Sequence, residues 1–241
     1  EKRLLRFGFK VYSQRDEDGI IAEIFHRIGT TNKTFLEIGS SGGLESNTLY
    51  LLLQGWKGSW VDGSSKFIEL IGQKFSFSLN TGNLKAIHRW VHQENINQLI
   101  EGATEDGQAL DLLSLDIDGN DYHILDAIES LNARVLVVEY NPKFRPPVKW
   151  VMSYNPSHSY DGSDYMGASL KSFEILLLGK GYKLVGCNLL GINAFFVRKD
   201  LMKDNFHSDC SAENHYESER FCLNDGLSPL HSASFGPFEI K

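Results

Sequence analysis

The stretch Asp116-Ile-Asp118-Gly-Asn-Asp121-Tyr-His123 crowds three carboxylates directly after the apolar run Leu112–Leu115. Each ionised neighbour raises the cost of ionising the others, and a bound cation relieves that cost. The next apolar run ends in Val138-Glu139-Tyr-Asn141. If the two runs are neighbouring parallel strands, Asp116, Asp118, Glu139 and Asn141 converge from two strand ends. Oxygen ligands alone suit Mg²⁺, Mn²⁺ or Ca²⁺ rather than zinc. The segment lacks the order of acids and the late glutamate of an EF-hand loop, which excludes that motif. A plainer role stays open, namely an Asx turn followed by a helix cap at Asn120 or Asp121. One or two acids suffice for a cap, so the surplus favours a cation. Such an ion lowers the pKa of a coordinated hydroxyl. Asp121 and His123 are the candidate bases for its proton, with Asp118 a further acid at the same centre. His123 fits a solvent-facing helix surface equally well.

A second constellation lies upstream. Glu37-Ile-Gly-Ser-Ser-Gly-Gly43 follows the run Thr34–Ile38 and precedes a helical stretch. Glycines there let backbone approach a bound group closely. The spacing of Gly39, Gly42 and Gly43 departs from the GxGxxG pyrophosphate cradle. It matches instead the acidic-x-Gly pattern seen with S-adenosylmethionine, a ligand without phosphates. Gly39, Ser40, Gly42 and Asn47 are assigned to the cofactor loop, and Glu37 to the ligand's ammonium. A simple glycine turn is the alternative. About 20 residues on, Asp62-Gly63-Ser64 ends the next run, where an acid accepts from ribose hydroxyls. It also fits a turn-forming Asp-Gly pair. NAD uses the same acidic device, so this step leaves a nicotinamide-dependent oxidoreductase open. Trp90-Val-His92-Gln93, at the end of the run Leu84–Val91, is a third candidate, with His92 assigned to the adenine side; a plain strand end is the equal alternative.

These residues need a frame. Thr34–Ile38, Ser59–Asp62, Leu84–Val91, Leu110–Ile117 and Arg134–Tyr140 read as strands buried on both faces, as in a parallel sheet. Helical spacing marks Asn47–Gln54, Lys66–Phe75, Glu94–Glu101 and Tyr122–Leu131. Alternation of strand and helix implies right-handed crossovers and an open sheet. Residues 142–166 carry four prolines and no clear period, and read as a long irregular loop. Its Tyr154, His158, Tyr160 and Tyr165, with Asp164, form an acceptor wall or lid in this reading; loop packing would use the same aromatics. Ala168–Lys180 reads as a helix, and Tyr182–Cys187 with Ile192–Arg198 as a hairpin. The expected fold is α/β, a doubly wound, mostly parallel seven-stranded sheet ending in an antiparallel hairpin. The segments are an N-terminal helical cap (1–30), a catalytic domain (31–200) and a polar C-terminal extension (201–241), within which Asp209–Asn224 is expected on the surface.

Composition narrows the partners. The 241 residues carry a formal charge of -7, which argues against a general nucleic-acid binder. No apolar run approaches the ~18 residues that span a membrane, and the N-terminus lacks a signal-peptide core. Cys187, Cys210 and Cys222 form no CxxC pair, so a structural zinc is not expected. Free thiols in a reducing cytoplasm are the favoured reading, with a Cys210–Cys222 pair as the alternative in an oxidising compartment. The composition is compatible with a homo-oligomer.

Taken in order, several segments resemble FkbM-type methyltransferases. They are Ser13–Gly19, Phe35–Gly39, Leu51–Gly58, Trp60–Ser64, Leu113–Tyr122, Val137–Asn141, Gly167–Leu170 and Gly191–Val197. The resemblance spans about residues 10 to 200. It implies a class I fold, S-adenosylmethionine as donor, and an oxygen acceptor on a sugar, glycan or natural product. It also implies that Ser13–Gly19, with Gln14, covers the cofactor's amino-acid end; a helix cap at Ser13 or Asp16 is the other reading. A more distant likeness to Mg²⁺-dependent sugar O-methyltransferases implies Asp116 and Glu139 as ion ligands, with Asn141 nearby. Many FkbM-type chains have Glu-Gly where this one has Asp118-Gly119. The expectation is a cation-assisted O-methyltransferase, set against an NAD-dependent oxidoreductase and a non-catalytic binding module on the same fold.

Overall fold

The computed structural model describes residues 1–103, 109–220 and 231–241. Seven strands form one sheet in the order β3-β2-β1-β4-β5-β8-β7. They are β1 (Thr34–Ile38), β2 (Lys57–Asp62), β3 (Leu84–His88), β4 (Leu112–Leu115), β5 (Val135–Glu139), β7 (Tyr182–Cys187) and β8 (Asn193–Arg198). β1 to β5 run parallel, and β8 inserts antiparallel between β5 and β7. The order reverses between β1 and β4, the switch point at which doubly wound sheets bind ligands.

Side-chain alternation splits the core into two layers. Leu36, Ile38, Leu113, Leu115, Leu136 and Val138 point to one face. There they meet α5 (Ile96–Ala103), α6 (Asp121–Ala127) and α7 (Leu170–Gly179). Phe35, Leu112, Val135 and Val137 point to the other. That face is covered by α1 (Glu17–Ile28), α2 (Leu49–Leu53) and α3 (Ser65–Lys74). The helix ends follow local chemistry: Ser169 caps α7 by accepting from Ser172 N–H, and Gly181 takes φ +92° just beyond its end.

Several boundaries differ from the expected ones. β3 stops at His88, because the chain then turns so that Arg89, Trp90 and Val91 face a cavity. α6 ends at Ala127, where Ile128 becomes extended and Asn97 Oδ1 accepts from Glu129 N–H. A short helix, α4 (Ser76–Asn80), follows α3. The 142–166 segment contains a strand, β6 (Val151–Met152), paired antiparallel with β9 (Phe238–Glu239). The 209–220 part of the expected surface stretch is partly buried, at Ala212 and His215, and the chain before it packs inward too. Met202, Phe206, Ala212 and His215 are buried, the latter two in α8 (Ala212–His215). Cys187 and Cys210 form no disulfide among the described residues, and Cys222 lies outside them. No helix among the described residues is long and apolar enough to cross a membrane.

Candidate functional site

A cavity of about 430 Å³ opens at the carboxyl ends of β1, β2, β4 and β5. Gly39 leaves β1 at φ +87°, and its N–H donates to Val61 O at 2.9 Å. A Cβ there would lie 1.5 Å from the carbonyl oxygen of Asp116, so only glycine permits this approach of β1 to β4. Gly43, at φ +78°, gives the same room to Trp60 and Phe75.

Glu37 is buried on the cavity wall. Its Oε1 accepts from Asn47 N–H at 2.8 Å, and its Oε2 accepts from the N–H and hydroxyl of Thr48. Burial pushes its carboxyl up to about 7 despite these donors. It orders the entry to α2, and Asn47, also on the wall, donates from Nδ2 to Ser114 Oγ at 3.1 Å. Asp62 accepts from Ser41 N–H and Ser64 N–H, both at 2.8 Å. Two bonds fix the carboxylate and leave a lone pair on each oxygen. Ser40 Oγ is buried on the same wall without a hydrogen-bond partner among the described residues, as expected of a group awaiting a ligand. Gln14 reaches the wall from a rigid loop. In that loop Asp18 Oδ2 accepts from the N–H groups of Val11, Tyr12 and Ser13, while Ser13 Oγ accepts from Asp18 N–H.

Asp116, Asp118 and Glu139 each bring one carboxylate oxygen to within 4.8 Å of the others. Asp118 takes φ +52°, the left-handed turn that points it back toward β4. Desolvation raises all three carboxyls, and mutual repulsion adds to the rise at Asp116 and Glu139, which share a hydrogen bond. Asp118 is drawn the other way by the imidazoles of His231 and His158.

Not every predicted residue joins these groups. Asp121 is fully buried and spent on its own turn, accepting from Ile117 N–H and Gly119 N–H at 2.9 Å. Burial raises it to about 6, but it does not line the cavity. His123 is buried too, with Nε2 2.7 Å from Met152 O. Neither is placed to act as a base. Asn141 turns away from the acids: its Nδ2 donates to Asp164 O and Met166 O, and its Oδ1 accepts from Lys143 N–H. His92 pairs with Glu94 at 2.7 Å, outside the lining.

The 142–166 segment divides. His158 and Tyr160 line the cavity, with Ser159 between them. His158 Nε2 stands 3.1 Å from Asp118 O, its ring filling the space that a Cβ on Gly119 would occupy. The Tyr160 hydroxyl pairs with His231 Nδ1 at 2.6 Å. Tyr154 instead accepts from Gln93 N–H at 3.3 Å, and Tyr165 donates to Pro237 O, so both serve loop packing. Sequence reasoning missed Phe67 and Arg89 on the wall, and in the segment Trp90–Gln93 it chose His92 where Trp90 lines the cavity. Trp90 lies against Gly63 and donates from Nε1 to Pro156 O at 2.8 Å, tying the mouth to the loop.

No family model matches the sequence, and no curated protein matches it. Solved structures do resemble the fold. A putative caffeoyl-CoA O-methyltransferase from Staphylococcus aureus is 12% identical, with a TM-score of 0.51 over 79% of this chain and 86% of that one. The magnesium protoporphyrin IX methyltransferase of Synechocystis PCC 6803, solved with bound S-adenosylhomocysteine, is 14% identical, with a TM-score of 0.50 over 76% and 81%. The strand order, the antiparallel β8 and these likenesses together give the chain the class I methyltransferase fold.

Proposed function

We propose that this chain is an S-adenosylmethionine-dependent O-methyltransferase of the FkbM type, acting on a hydroxyl of a carbohydrate or polar natural product with the help of a divalent cation. One observation carries the reading: a single cavity joins the glycine loop and Asp62 to the triad Asp116, Asp118 and Glu139. Gly39, Ser40 and Asp62 would hold the donor at the ends of β1 and β2, and the acids stand beside them in the same cavity.

The residues suit both groups. Ser40 Oγ and the free lone pairs of Asp62 offer polar partners to a ligand with ribose hydroxyls, and the loop offers no phosphate cradle. Three hard oxygens with raised pKa values suit Mg²⁺, Mn²⁺ or Ca²⁺, whose binding would return them to the ionised form. When bound, the donor supplies an electrophilic methyl group and the cation acidifies a coordinated hydroxyl. The protein's part is positional. Asp62 accepts from the ribose, the Glu37–Thr48–Asn47 set keeps the loop rigid, and Asp121 holds the turn that presents Asp118. His158, Ser159 and Tyr160 wall the acceptor side with ring faces and hydroxyls, which suit a polyhydroxylated substrate.

Thermal shift with S-adenosylhomocysteine and with NAD tests the donor. A stabiliser at 100 times its Kd contributes about 2.7 kcal/mol, which is a shift of several degrees for a chain of this size. The expected result is such a shift with S-adenosylhomocysteine and none with NAD. Stabilisation by NAD alone overturns the reading.

A further inference from the structure

Asn141 does not face the acids, but an asparagine on a different strand lies beside them. Asn193 opens β8 and faces Glu139 directly across the antiparallel pair. Directly opposed residues project from the same face of a sheet. Asn193 accordingly lines the same cavity as Asp116, Asp118 and Glu139. It is only 2% exposed. Its Nδ2 donates to Glu17 Oε1 at 3.0 Å, and its N–H donates to Asn188 Oδ1 at 2.9 Å. Its Oδ1 has no hydrogen-bond partner among the described residues.

Glu17 fixes which way the amide points. This carboxylate is fully buried, accepting from Asn188 Nδ2 at 2.8 Å and from Arg15 N–H at 2.7 Å. An acceptor at that place selects the NH₂ arm of Asn193 and leaves its oxygen arm free, on a residue that lines the cavity opposite Glu139. Leaving a buried amide oxygen unmatched costs about 1–3 kcal/mol. A carboxylate-rich wall holds few donors to satisfy it, whereas a cation held by the same carboxylates would.

We propose that Asn193 Oδ1 is the fourth protein oxygen of a divalent-cation site formed with Asp116, Asp118 and Glu139. This rests on the reading that the cavity binds a cation. A neutral fourth ligand keeps the site from gathering a further negative charge, and ligand charge tunes affinity for hard cations.

Mn²⁺ titration of the full chain, followed by electron paramagnetic resonance without donor or acceptor, tests the proposal. Wild type is expected to bind Mn²⁺, and Asp116→Asn to lose it. Asn193→Ala is expected to weaken Mn²⁺ by about tenfold or more. Asn193→Asp, nearly isosteric, is expected to tighten it by replacing a neutral oxygen with a charged one. S-adenosylhomocysteine affinity, measured by calorimetry on the same variants, should not move with Asn193→Ala. Wild-type protein that binds no Mn²⁺ removes the cation reading itself. Loss in Asp116→Asn with wild-type affinity in both Asn193 variants removes only the fourth ligand. A fall in S-adenosylhomocysteine affinity with Mn²⁺ unchanged assigns the oxygen to the donor and also overturns the proposal. If Asn193→Ala fails to fold by circular dichroism, Asn193→Asp decides, and unchanged or weaker Mn²⁺ binding counts against it.

Discussion

Asp116→Asn is expected to lower methyl transfer by about 10³-fold, the equivalent of roughly 4 kcal/mol in the barrier. Asp116 leaves β4 where the cavity meets the acids, and shares a hydrogen bond with Glu139. Asparagine keeps the shape and removes the charge that a cation needs. Two accompanying readouts separate chemistry from folding. S-adenosylhomocysteine affinity should stay close to wild type, because the glycine loop and Asp62 are untouched. Thermal stability of the metal-free variant should hold or rise, since one member of a like-charge cluster is gone. Chelator treatment of the wild type should reproduce the loss, and added Mg²⁺ or Mn²⁺ should restore turnover there but not in the variant. Full activity in chelator would remove the metal from the mechanism.

Gly39→Ala is expected to be the most damaging single-methyl change in the cavity wall. The new Cβ would sit 1.5 Å from Asp116 O and 2.6 Å from its carbonyl carbon, at φ +87°. Both obstacles are backbone, and that backbone is pinned by Asp116 N–H donating to Ile38 O at 3.0 Å. No rotamer change relieves the clash, so β1 and β4 must part at the switch point. The cost is put at about 4 kcal/mol or more, read by urea unfolding or as failure to accumulate folded protein. Gly42→Ala is the control. Its Cβ would meet Leu70 Cδ2 at 2.6 Å, the far end of a flexible side chain. It should cost about 1–2 kcal/mol. Equal effects of the two substitutions would contradict the close-approach argument.

The sequence carried the frame well because its signals are local or topological. Short apolar runs alternating with helical spacing dictate a doubly wound sheet, and that topology brings the residues after β4 and β5 together without any need for long-range detail. Asp116, Asp118 and Glu139 could be grouped on that basis. The failures share a different cause. Asn141 and Asn193 are indistinguishable by type; only the antiparallel register of β8 sets Asn193 opposite Glu139, while carbonyls of the 164–166 loop capture Asn141. Asp121 and His123 look reactive in a string of residues, yet backbone groups take up both: two turn N–H groups for Asp121, the β6 carbonyl of Met152 for His123. Tyr160 and Tyr165 lie on one aperiodic loop, and only its pairing with the chain's last residues separates a cavity wall from a packing contact. Hydrophobic residues of the extension, such as Met202 and Phe206, are too sparse to show a period although they complete the α1-side core.

A crystal structure of the full chain grown with S-adenosylhomocysteine and Mn²⁺, phased for the manganese anomalous signal, addresses the main claim directly. It should show the nucleoside against Asp62 and a manganese peak among Asp116, Asp118 and Glu139, both within one cavity. Nucleoside density away from the glycine loop, or manganese bound only at some other place, would contradict it.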